Sequence, residues 1–153
     1  VSHIKPLSET IADFRETPIP AHRKPRAKPR RLEDAFHTSV AKYLSSVIAR
    51  PGVCSPLGVT WFSIEPRAKR SLAEGARNKM RGVIPGIPDV AIFHAERAYF
   101  IELKSPTGTV SGMQTDLHLE LARSRIPVLV ARDLDSVAAV LHTWGIPHRR
   151  AVL

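Results

Sequence analysis

The sequence predicts an α/β fold with a central mixed four-stranded sheet flanked by helices, and three observations predict it. Stretches with apolar residues at helical spacing alternate with short runs of β-branched and aromatic residues. Their order is helix, strand, helix, a hairpin of two strands, helix, strand, helix, which suits a layered sheet-and-helix architecture. Two of the strands are joined only by His94-Ala95-Glu96-Arg97, a connection of hairpin length.

The first core helix begins at Leu32, where Phe36, Val40, Tyr43, Leu44 and Val47 fall on one stripe. Pro51-Gly52 ends it, and Val59–Ile64 forms a strand stopped by Glu65-Pro66. A helical stretch follows over Ser71–Met80. The hairpin then pairs Val90–Phe93 with Ala98–Ile101. Turn residues at Ser105–Thr109 lead to a helix over Ser111–Arg123, with Met113, Leu117 and Leu121 at four-residue spacing. Ser111-x-x-Gln114 matches a capping box, in which the serine and glutamine side chains each satisfy the other's backbone N–H. Ile126–Ala131 reads as a buried strand. Asp133 caps a last helix that buries Leu134, Val137, Val140 and Leu141, and Trp144–Pro147 closes it.

A chain of 153 residues with 43% hydrophobic residues has room for one sizeable core. The division expected is a basic, Pro-rich arm over residues 1–31 and a folded domain over 32–153. Net charge is +9, of which the first 32 residues supply +5 and the remainder +4, so the excess favours a polyanionic partner while the folded part is only mildly basic. Within the arm, residues 22–31 hold six Lys/Arg and two prolines, a composition not expected to form a helix. A single cysteine, Cys54, makes neither an internal disulfide nor a zinc site. No apolar run is long enough to span a bilayer and the first residues lack a signal-peptide core, so a cytoplasmic protein with no membrane partner is expected. The first residue is Val, which suggests a start inside a longer reading frame or after processing.

The chemistry concentrates in Gly82–Lys104. With Ala95-Glu96 as the turn centre, Asp89 stands opposite Glu102, and like charges so placed repel unless a cation sits between them. Side chains at i and i+2 share a face, so Lys104 joins both carboxylates. Few, hard oxygen ligands suit Mg²⁺ or Mn²⁺. An isolated Glu-x-Lys is more often an exposed ion pair of little energetic weight. Here it follows Pro88-Asp89 at a spacing of thirteen residues, behind Gly82-x-x-x-Gly86 and ahead of Gln114.

That ordered set resembles the PD-(D/E)xK nuclease superfamily, a restriction-endonuclease-like core, and within it the VRR-NUC (virus-type replication-repair nuclease) family. The resemblance covers roughly residues 32–147. It implies that Asp89 and Glu102 hold the metal with the backbone carbonyl of Leu103, that Lys104 orients the attacking water, and that Gln114 positions Lys104. It also implies a glutamate from the first helix, for which Glu33 is the matching position and Asp34 the fallback. Otherwise Glu33 is explained by its place near a helix N-terminus. The family more often has Gln where His37 stands, so His37 is expected as a polar neighbour, and Glu65-Pro66 departs from the small polar turn usual there. A homodimer and a DNA substrate are further implications.

Two basic clusters complete the expectation. Lys24, Arg26, Lys28, Arg30 and Arg31 form one, as a phosphate-binding arm or one that wraps a partner subunit. Arg67, Lys69, Arg70, Arg77, Lys79 and Arg81 form the other, next to the proposed phosphate site. Gly82 and Gly86 serve either backbone conformations closed to other residues or a close approach to nucleic acid. The activity expected is a metal-dependent DNA endonuclease. The competing reading is a non-catalytic nucleic-acid-binding module on the same scaffold, and a weaker one is a protein-interaction factor.

Overall fold

A computed structural model describes residues 29–64, 77–78 and 80–150 of the chain, with side chains from Leu32. The expectations placed on Lys24, Arg26, Lys28, Glu65, Arg67, Lys69, Arg70 and Lys79 lie outside the described residues. Those on the side chains of Arg30 and Arg31 do too.

Helix α1 spans Pro29–Val47, starting three residues before Leu32. Proline is well placed in a first helical turn, where its missing N–H has no intrahelical acceptor to lose and its φ is already helical. The predicted stripe is the buried one: Val40, Leu44 and Val47 have no exposed surface. Strand β1 is Val59–Ser63, β2 Val90–His94 and β3 Arg97–Leu103. Helix α2 is Gly112–Arg123, β4 Val128–Ala131 and α3 Leu134–Thr143. Of the stretch expected to be helical over 71–80, Arg77, Asn78 and Met80 are described, and all three are helical.

The strands form one sheet in the order β1-β2-β3-β4, antiparallel except for the parallel β3–β4 pair. This is the mixed four-stranded sheet flanked by helices. Its turn is the predicted one. Ala95 and Glu96 both take positive φ, 49° and 62°, and every β2–β3 pair, such as Val90 with Ile101, follows from that centre.

Period-two alternation gives the sheet two unlike faces. One carries Val59, Trp61, Val90, Ile92, Tyr99, Ile101, Leu103 and Ala131, packed with α1 and α3 into the core. Each fully buried Val, Leu or Ile there contributes about 1.5–3 kcal/mol. Trp61 satisfies its indole N–H on the Ala49 carbonyl at 2.7 Å. The other face carries Thr60, Phe62, Ala91, Phe93, Phe100 and Glu102, with α2 lying over its β4 side. Consequently α2 buries none of its residues fully. Met113, at the head of the expected apolar series, is 58% exposed, because the inward positions at this end belong to Gln114 and His118.

Candidate active site

The β2–β3 register carried one step past Val90–Ile101 sets Asp89 opposite Glu102, and one step further sets Pro88 opposite Leu103. Backbone groups of successive strand residues point alternately to the two neighbouring strands. Phe100 and Lys104 donate their N–H groups toward β4, to Pro127 and Ala131, so the N–H and C=O of Leu103 point toward β2. There the ladder partner is proline, which has no N–H to give the Leu103 carbonyl. The Leu103 N–H donates instead to Asp89 Oδ2 at 2.7 Å. The Pro-Asp pair thus aims the aspartate and spares a main-chain oxygen beside it.

Glu102 is 1% exposed, and its two oxygens differ. Oε1 accepts from Lys104 Nζ at 2.8 Å and from Gln114 Nε2 at 2.5 Å. Oε2 is buried with no hydrogen-bond partner among the described residues, and 4.0 Å away lies His118 Nε2, likewise buried and without one among them. Burial is the main influence on the two acids: it pushes both Asp89 and Glu102 above their ordinary carboxylate range, with Glu33 adding to the rise at Asp89 and Asp89 to that at Glu102, while Lys104 draws both down. His118 is held below the usual histidine range by burial and by the nearby lysine.

The glutamine does not do what the family resemblance implied for it. Its Oε1 accepts from the Ser111 N–H at 2.9 Å, closing the capping box. Its NH₂ group, which cannot bond to an ammonium, donates to the acid. Gln114 therefore fixes Glu102 directly and touches Lys104 only through the oxygen they share. Gly86 holds α2 in place: it has φ +85°, and a Cβ there would fall 3.0 Å from the Gln114 backbone nitrogen. The close approach made by this glycine is to α2.

Glu33 is half-buried on α1 and close enough for its charge to act on Asp89. Its Oε1 lies 3.3 Å from where a Cβ on Gly108 would stand, so it faces the loop after Lys104. Asp34 is exposed on the wall of a groove of about 840 Å³ along α1. His37 Nε2 is hydrogen-bonded to Ser63 Oγ at 3.0 Å, a satisfied neighbour as expected. Arg77, in the helical stretch, and Arg81, in the turn that includes Gly82, are both exposed.

His118 follows Gln114 by one helical turn, the spacing from which the sequence reads it as able to face the same groove, although a lone histidine is more often structural. One contributor escaped the sequence reading of the site. Arg132 binds the carbonyls of Ser105 and Gly108 at 2.9 and 2.6 Å, fastening the loop between Lys104 and Glu33. Nothing in its local sequence marks it.

The VRR-NUC domain model matches residues 28–133. The chain belongs to the VRR-NUC family. This is a family of nucleases, and the matched segment contains every acid, the lysine and the glutamine of the site just described. A solved structure described as "VRR_NUC domain protein" is 24% identical, covering 74% of this chain and 87% of its own with a TM-score of 0.53. At that identity the likeness speaks for the fold. No curated protein matches the chain. Among the described residues, no helix of this VRR-NUC chain is long and apolar enough to cross a membrane.

The donor set fits a divalent cation. No three His, Cys, Asp or Glu side chains among the described residues make up a metal-binding group by themselves. The fit comes instead from two adjacent carboxylates, the Glu102 Oε2 left without a partner among the described residues and the Leu103 carbonyl that has a proline opposite it. All are hard oxygen donors of the kind Mg²⁺ and Mn²⁺ take.

Proposed function

We propose that this VRR-NUC chain is a Mg²⁺- or Mn²⁺-dependent DNA endonuclease, selective for branched or duplex DNA and working as a homodimer. One observation carries the catalytic part: a buried carboxylate whose one oxygen is fixed by Lys104 and Gln114 while the other has no partner among the described residues. Burying such an oxygen costs free energy unless something meets it. Asp89, Glu102 and the Leu103 carbonyl would hold the ion, which when bound supplies Lewis-acid charge at the scissile phosphate.

The chain's own groups do the rest. Lys104 spends one proton on Glu102 and directs the others to the attacking water and the phosphate oxygens, where negative charge grows. Gln114 keeps Glu102 in the rotamer that presents Oε2. Glu33 would add an outer-sphere or second-metal contact from α1, and the resemblance further implies a 5′-phosphate product. DNA would be drawn in by the basic excess, with the exposed Arg77 and Arg81 and the rest of the two basic clusters supplying phosphate contacts.

Asp89→Ala and Lys104→Ala are expected to lower Mn²⁺-dependent cleavage of a panel of labelled DNA structures by about 10²-fold or more, with far-UV circular dichroism unchanged. Retained metal-dependent cleavage in either variant would defeat the reading. DNA binding that persists with no cuts under any metal would favour the non-catalytic module. Sedimentation at micromolar concentration tests the dimer.

A further inference from the structure

On the face that holds the site, Phe62 of β1 and Phe93 of β2 stack on each other, with ring centroids 5.5 Å apart and planes 25° from parallel. Each is 39% exposed. A cross-strand aromatic pair supports a sheet best when it is covered, and here both rings face outward beside the buried Ala91. The register ties them to the chemistry. Phe62 is opposite Ala91, which is opposite Phe100, and Asp89 lies on the same face two residues before Ala91. At about 3.3 Å per residue, Phe62 is level with a point about 7 Å from Asp89 along β2, and Phe93 is about 13 Å away. Those spans equal roughly two to four nucleotide steps at about 3.4 Å each.

We propose that Phe62 and Phe93 form a stacking platform for unpaired bases of a DNA strand whose backbone passes Asp89, Glu102 and Lys104. The proposal rests on the nuclease reading and names its substrate class: DNA with a single-stranded element next to the cut. Three observations select this occupant. The platform lies on the same sheet face as the site, the chain is strongly basic at +9, and exposed aromatic rings on a sheet are a sequence-tolerant surface for base π-faces.

The test measures binding in EDTA, so that cleavage plays no part. The probes are a fluorescein-labelled single-stranded oligonucleotide, its blunt duplex, and a single strand carrying 2-aminopurine. Replacing both rings (Phe62→Ala with Phe93→Ala) is expected to weaken single-strand binding about ten- to a hundred-fold and to abolish 2-aminopurine quenching, with duplex binding changed less than about two-fold. Phe62→Tyr with Phe93→Tyr keeps the π-faces and should retain binding. Phe62→Leu with Phe93→Leu keeps apolar bulk and should lose it, which decides the matter if the alanine variant fails to fold. Parental single-strand affinity in a folded alanine or leucine variant overturns the platform. So does an equal loss on duplex, or a shift from dimer to monomer with single-strand binding intact, which assigns the face to a second copy. A parent protein that quenches 2-aminopurine yet cuts no DNA with Mn²⁺ overturns the nuclease reading and leaves the platform standing.

Discussion

Asp89 shows how one residue is shaped by competing forces. Its Oδ2 is held by the Leu103 N–H, which favours the charged form, yet burial outweighs that bond and lifts its pKa above the ordinary 3.8. The folded state therefore keeps its proton to higher pH than the unfolded chain does. Between the two pKa values folding takes up a proton, so the stability this group contributes is full below about pH 3.8 and is lost as pH rises through the folded value. Asp89→Asn removes that loss. In EDTA the variant is expected to exceed the parent in chemical denaturation midpoint by a margin that grows as pH rises from about 3.8 and levels off once the folded-state carboxyl is fully ionised. Adding Mn²⁺ should stabilise the parent and leave the variant unmoved. An Asn variant no more stable than the parent at neutral pH would contradict this account. His118 belongs to the same scale: one turn after Gln114 it faces the open oxygen of Glu102, and no local pattern distinguishes it from a structural histidine.

Among the elements, the β2–β3 hairpin sets the geometry of the site through its turn. A two-residue turn with positive φ at both positions suits Asn-Gly, and this chain uses Ala95-Glu96. The left-handed region costs a residue with a Cβ about 1–2 kcal/mol. Ala95→Asn with Glu96→Gly should therefore raise stability by about 1–2 kcal/mol with the register and activity unchanged; an unchanged denaturation midpoint would refute the strain. Gly82 and Gly86 offer a contrast. Both have positive φ, but a Cβ on Gly82 meets nothing within 4 Å while one on Gly86 strikes the Gln114 backbone. Each alanine variant should lose about 1–2 kcal/mol of stability. Only Gly86→Ala should also reduce cleavage, by displacing α2 and the glutamine that fixes Glu102. Equal cleavage by the two variants would show that α2 tolerates the shift.

For the whole molecule, the charge is unevenly spread, with more than half of the +9 in the first 32 residues. Removing residues 1–28 should therefore flatten the dependence of DNA affinity on salt by about 0.9 log units per log unit of salt for each phosphate that the arm neutralises, while cleavage at low salt persists. A salt slope that survives the deletion intact would place the phosphate-binding groups on the folded domain alone.

Much of this fold could be read from residue order because its signals are local. Alternation along β2 and β3, the two-residue turn and the serine–glutamine cap are set by dihedral preferences and periodicities a few residues long, and together they bring Asp89 level with Glu102. The role given to the Leu103 carbonyl entered only as an implication of the family resemblance. Its structural reason, the proline opposite it, needs the register of both strands.

What the sequence by itself determined is the hairpin register, the facing acids and the lysine on their side. Only the tertiary structure decided which oxygen of Glu102 is left open, that Gln114 reaches the acid and not the lysine, that Arg132 fastens the loop beside them, and that Phe62 and Phe93 share an outward face. Those outcomes depend on how far apart the layers settle and which donors are already engaged elsewhere. Packing and hydrogen-bond competition fix both, between residues distant along the chain.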